Sequence, residues 1–159
     1  MIIVSACLLG LNTRYDGSAK NANSILLKYS HMGMYIPLCP EQLGGLATPR
    51  FPAEIINGSG IEVLEGKAVV KNKLGEEVTS QFIKGAKQVL FIAQIMPVTA
   101  AILKEGSPSC GCRRIYDGTF ENTTKDGQGI TAALLRQNYI SVYSDEELTE
   151  ELLIKTLKI

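Results

Sequence analysis

Tryptophan is absent from this chain of 159 residues, histidine occurs once, and aromatic residues make up only 6%. A broad base-stacking platform is excluded, because single-stranded nucleic-acid surfaces are built on aromatic side chains. No charge surplus exists either: 16 basic and 16 acidic side chains leave a net of zero. A dominant nucleic-acid footprint is not expected from that balance. Membrane-length apolar runs are missing; the stretch Val89 to Leu103 is broken by Gln94 and Pro97, so no membrane partner is expected. Met1 to Ser5 lacks the basic leader of a secretory signal, so a cytoplasmic location is expected. In that compartment disulfides are disfavoured, and the four cysteines read as ligands, nucleophiles or buried apolar residues. No repeat, low-complexity segment or linker divides the chain, and residues 1–159 are read as one domain.

Short β-branched runs alternate with helical periodicity. Ile2-Ile3-Val4, Tyr35 to Leu38, Thr99 to Leu103 and Tyr139 to Val142-Tyr143 read as strands. Asn23 to Tyr29, a segment capped by Thr79 and running to Ala93, Ile130 to Gln137, and a last segment capped by Ser144 to Glu147 read as helices. Ile61 to Leu64 and Lys67 to Val70 read as a small peripheral hairpin around Glu65-Gly66. Cys39 to Pro52 reads as a long, proline-stiffened loop. Arg113 to Gln128 is polar, with turns at Asp117-Gly118 and Asp126-Gly127. The alternation predicts an α/β fold: a three-layer sandwich with a mainly parallel, Rossmann-like sheet and the hairpin at its edge.

Within that frame Cys7, Cys39 and Cys110 each follow the end of a predicted strand. Ligands in such folds bind outside the carboxyl ends of the strands. Three thiols gathered there suggest a soft metal or an iron–sulfur cluster with one position left open. Cys110 lies in Gly106-Ser107-Pro108-Ser109-Cys110-Gly111-Cys112, a turn able to aim a thiol, hydroxyls and N–H groups at one point. Cys112 is two residues from Cys110, an offset that turns side chains apart in extended chain. It is read as accessory. The lone histidine, His31, is read as surface, and Gly44-Gly45 and Gly127-Gln128-Gly129 as weak phosphate-loop signals because neither follows a strand.

Several pieces in order carry a resemblance: Ser5-Ala6-Cys7-Leu8-Leu9-Gly10, Arg14-Tyr15-Asp16-Gly17, Cys39-Pro40-Glu41 with Leu43-Gly44-Gly45-Leu46, Thr48-Pro49-Arg50 with Pro52-Ala53-Glu54, Lys104 to Gly111, and Ile115 to Gly118. The chain resembles the thiouracil desulfurase family over about residues 1–143. The resemblance implies a [4Fe-4S] cluster on Cys7, Cys39 and Cys110, a cofactor readily lost or replaced by another metal in air. It implies non-redox removal of sulfur from a thiolated nucleobase such as 2-thiouracil, or a related thioamide, giving the oxo base and sulfide. Glu41 and Ser107 become the catalytic side chains by motif match; Arg14, Asp16, Arg50 and Ser109 are candidates for holding substrate. Members often carry cysteine where this chain has Thr13, so no four-thiol site is implied. Read from the residues alone, a zinc hydrolase on the same thiols and a non-catalytic nucleotide or RNA-base binding domain stay open. So does a thiol–disulfide enzyme using Cys110 and Cys112.

Overall fold

The computed structural model describes residues 1–19 and 21–159. The chain begins with β1 (Ile2–Ser5), a helical turn over Ala6–Leu9, α1 (Ser24–Tyr29) and β2 (Tyr35–Leu38). Next come α2 (Pro40–Leu43), β3 (Ala53–Ile56), α3 (Gly60–Leu64), β4 (Val69–Asn72) and the long α4 (Thr79–Ile95). It closes with β5 (Ala100–Leu103), β6 (Arg114–Tyr116), β7 (Thr124–Asp126), α5 (Ile130–Gln137), β8 (Ser141–Ser144) and α6 (Glu150–Leu157).

Four strands form the central sheet in the order β2-β1-β5-β8, and every pairing is parallel. Such a sheet must be covered on both faces, and its strands are accordingly continuous apolar runs. Ile3, Ala101, Leu103 and Val142 pack under Val89 and Ala93 of α4 and Ala132 and Leu135 of α5. On the opposite face Ile2, Val4, Ala100 and Ile102 meet Leu26 of α1 and Leu153 and Leu157 of α6. The predicted three-layer α/β architecture is therefore present. Among the described residues no helix is long and apolar enough to cross a membrane.

The periphery differs from the sequence reading. Ile61 to Leu64 belongs to a helix, because the Ser59 N–H donates to the Glu62 carboxylate at 2.8 Å and starts a turn there. The hairpin instead pairs β3 with β4, antiparallel. The segment Cys39 to Pro52, read as a long loop, opens with α2 and ends where β3 begins. A second antiparallel pair, β6 with β7, rises from the polar stretch after Cys112. Val78, not Thr79, occupies the cap position of α4; the Thr79 hydroxyl accepts instead from the Val70 N–H at 2.9 Å. Thr149 caps α6, five residues beyond the expected start, while Glu147 turns back to accept from the Ser144 N–H at 2.9 Å. Tyr139 stands outside β8 with a left-handed backbone, almost fully exposed.

Candidate metal centre

Each of the three strand-end thiols is held by a different device. Cys7 sits in the turn over Ala6–Leu9, closed by Gly10 with φ of 88°. A left-handed cap of this kind favours glycine. Cys39 ends the run from β2 and occupies the cap position of α2, with Pro40 in the first turn where a missing N–H costs nothing. Its thiol donates to the Thr13 carbonyl at 3.7 Å, and Arg50 Nη2 stands 3.9 Å from the sulfur. Cys110 lies beyond β5, where the Ser5 and Ser109 hydroxyls each reach its sulfur at 3.6 Å.

α2 can lie where it does because two glycines meet. A Cβ on Gly44 would come 2.0 Å from the Gln81 carbonyl oxygen, and one on Gly85 would come 2.0 Å from the Pro40 oxygen. The Gly44 reading as a phosphate signal is thus replaced by helix packing behind Cys39. Gly129 is corrected in the same way. Its N–H donates to the Gly111 carbonyl at 2.8 Å, and a Cβ there would meet Ser109 backbone at 2.5 Å.

The loop that carries Cys110 is tied from two sides. The first N–H groups of α5 need acceptors outside their own helix. Pro108 and Ser109 carbonyls supply them, to Ile130 and Thr131, both at 2.9 Å. From the other side one oxygen of Glu105, Oε1, accepts from the backbone N–H groups of Cys112 at 2.7 Å and of Arg113 and Arg114 at 3.1 Å. Burial works to raise the Glu105 carboxyl's pKa, but these donors with the Ser144 hydroxyl hold it below the usual range. Asp145 accepts the Glu105 N–H at 2.7 Å and pairs with Lys104 at 3.1 Å. Within the loop the Cys110 N–H donates to Ser107 Oγ at 2.7 Å, and the Ser107 and Ser109 hydroxyls share a contact at 3.3 Å.

The outcome is one cavity of about 490 Å³ lined by Cys7, Cys39 and Cys110 together. It opens at the carboxyl ends of β1, β2 and β5, as the site rule for open α/β sheets requires. The thiols sense one another. Burial, and then Cys39, push Cys7 up to about 11. Burial pushes Cys110 up to about 12, with Cys39 and Cys7 adding to it. Cys39 is raised by burial as well. Neutral thiols of this kind become good ligands when a metal displaces their protons. Among the described residues no group of three His, Cys, Asp or Glu side chains is arranged as a site for a single metal ion. The three thiols that line this cavity are the donor type that iron–sulfur clusters take.

The other expected residues are placed as follows. Glu41, Arg14, Arg50, Ser107 and Ser109 all line this cavity. Glu41 and Arg50 form an ion pair at 2.7 Å. Arg14 lies over the Tyr15 ring, 5.9 Å from its centre. Asp16 is exposed and outside the lining; its carboxylate accepts from the Ser18 N–H and hydroxyl at 2.9 and 2.6 Å. Cys112 is buried in the core, its thiol donating to the Cys110 carbonyl at 3.4 Å. Burial pushes that thiol far up. His31 is exposed, as expected. Glu105 and Asp145 were not singled out from sequence. The only available sign was an acid placed two residues after a buried strand end.

A family model described as 2-thiouracil desulfurase matches residues 2–147. The uncharacterized protein YbbK of Bacillus subtilis strain 168 is 45% identical over 150 residues, spanning 94% of this chain and 99% of that protein. A solved structure, that of the [4Fe-4S]-dependent thiouracil desulfidase TudS, is 43% identical with a TM-score of 0.85, covering 98% of this chain and 97% of that one. With its three thiols converging on a single rim, the chain belongs to the 2-thiouracil desulfurase family.

Proposed function

We propose that residues 1–159 form one desulfurase domain that removes sulfur from a thiolated base such as 2-thiouracil, giving the oxo base and sulfide without net redox change. Cys7, Cys39 and Cys110 hold a [4Fe-4S] cluster in this reading. The observation that carries it is the shared cavity: three thiols from three strand ends, beside a partly buried carboxylate and its arginine. The family and the TudS likeness support the same assignment. The reducing cytoplasm is the compartment in which these thiols stay available.

When bound, the cluster supplies a soft Lewis-acidic site for the substrate sulfur. The protein supplies the rest. Glu41 uses Oε2 for Arg50, and among the described residues no donor engages Oε1. That oxygen takes a proton from the water that attacks the thiocarbonyl carbon. A carbon–oxygen bond forms, the carbon–sulfur bond breaks, and sulfur leaves as hydrogen sulfide with both protons of the water. Ser107 donates its hydroxyl proton to the substrate, its oxygen being already fixed by the Cys110 N–H. Arg50 keeps the Glu41 carboxylate in place.

The test is turnover. Protein reconstituted anaerobically with iron and sulfide is given 2-thiouracil. Uracil and sulfide in equal amounts are expected, with no added reductant. A fully loaded protein that leaves 2-thiouracil intact would contradict the assignment.

A further inference from the structure

Part of the cavity wall comes from the loop that joins β6 to β7. Phe120, in this loop, lines the cavity. Its backbone is left-handed, with φ of 59°, a conformation that bulky residues rarely adopt. Asn122 at 57° and Gly118 at 92° flank it. The loop is nevertheless held in place. A Cβ on Gly118 would come 2.7 Å from the Ile55 carbonyl, so the loop lies directly against β3. Glu54 of β3, only 6% exposed, accepts the Phe120 N–H at 2.8 Å. A buried carboxylate is costly unless it is well hydrogen-bonded, and among the described residues this one, which also borders the cavity, engages only the Phe120 amide. A strained residue that its surroundings over-determine points to a function at that residue.

Two other aromatic residues line the cavity. Tyr15 is 41% exposed and its ring is already faced by Arg14. Tyr116 is 37% exposed on β6. Phe120 is more sheltered than either, and it alone of the three is pinned by a buried acid. A phenyl ring offers a flat apolar face without a hydrogen-bonding group, which suits stacking on a planar heteroaromatic ring.

We infer that Phe120, positioned by Glu54, is the stacking wall of the substrate site and selects flat aromatic rings over puckered or aliphatic thiocarbonyl compounds. This inference rests on the proposed desulfurase reading for the location of the substrate. Phe120 is a substrate-contacting residue in it, and Glu54 a positioning residue.

The experiment compares binding of uracil and of dihydrouracil to the cluster-loaded protein by calorimetry. Both present the same carbonyl and N–H edge, but only uracil is planar throughout. Wild type is expected to favour uracil. Phe120→Leu keeps apolar bulk and removes the flat face; it should weaken uracil about tenfold and leave dihydrouracil within about twofold. Phe120→Tyr should keep the preference. Glu54→Ala should lose it as Phe120→Leu does, whereas Glu54→Gln, which still presents a carbonyl oxygen to the Phe120 N–H, should retain it. For 2-thiouracil turnover, Phe120→Leu should raise KM by a similar factor with little change in kcat. An unchanged uracil preference in Phe120→Leu, with wild-type turnover of 2-thiouracil intact, overturns the stacking wall alone. Absence of both uracil binding and 2-thiouracil turnover in the loaded wild type overturns the desulfurase reading and the stacking wall with it.

Discussion

Arg50 donates to the Glu41 carboxylate across 2.7 Å, and both side chains are largely withdrawn from water. The same Nη2 reaches the Thr13 carbonyl at 3.0 Å and stands 3.9 Å from the Cys39 sulfur. Nη1 binds the Thr48 hydroxyl at 3.0 Å and the Ala47 carbonyl at 3.3 Å. One guanidinium therefore binds together the loop after Cys7, the turn after Cys39 and its own segment. Glu41→Gln keeps an acceptor for Arg50 but cannot take a proton. It should retain the iron–sulfur absorbance and lose about 10²–10⁴-fold in kcat. Arg50→Lys keeps the charge but not the fork, and should cost about tenfold in kcat. Steady-state rates on loaded proteins check both; wild-type rates in Glu41→Gln would remove it as the base.

Glu105 gives a pH signature. Its carboxyl is held below the ordinary value of 4.5, with burial opposing and the loop amides prevailing. A carboxyl depressed in the folded state contributes stability that is present at neutral pH and is lost as pH falls through the lowered value. Glu105→Gln removes the charge that the four backbone amides of Gly106, Cys112, Arg113 and Arg114 face. It should be less stable than wild type at pH 7 by about 1.5–3 kcal/mol, and the two stabilities should converge in strong acid. Urea unfolding of the metal-free proteins across pH measures this. A constant difference at every pH would contradict it.

The contact of α2 with α4 makes a third prediction. Gly85 lies inside α4, where alanine would ordinarily favour the helix by about 1 kcal/mol. Here a Cβ would strike the Pro40 oxygen. Gly85→Ala should therefore destabilise the fold and shift α2, and with it Cys39 and Glu41. A lower Tm together with reduced iron content is expected. A Tm above wild type would show that the helices are free to separate.

Much of this arrangement was legible before any coordinates. Ile130 to Gln137 and Tyr35 to Leu38 coincide with their elements, because apolar periodicity and burial agree there. The four parallel strands follow from short β-branched and small apolar runs set between helices. Ile61 to Leu64 misled because four residues are too few to separate a strand from one helical turn; the Ser59–Glu62 pairing decided it. The cavity wall was harder. The Glu41–Arg50 pair and the Glu105 amide cluster depend on loops meeting in space, which no spacing along the chain reveals. Asp16 belonged to the family pattern and yet serves its own turn with Ser18. Gly44 and Gly129 showed that glycine was needed but not that it served backbone packing.

The account depends on Cys7, Cys39 and Cys110 acting as one ligand set, and the direct test is iron and sulfide content after anaerobic reconstitution. Wild type should take up four irons per chain, the composition of a [4Fe-4S] cluster. Serine at Cys7, Cys39 or Cys110 should each abolish stable loading. Cys112→Ser should load fully, because Cys112 is buried in the core with its thiol on the Cys110 carbonyl. Full loading of any of the first three variants, or loss of loading confined to Cys112→Ser, would contradict the shared centre.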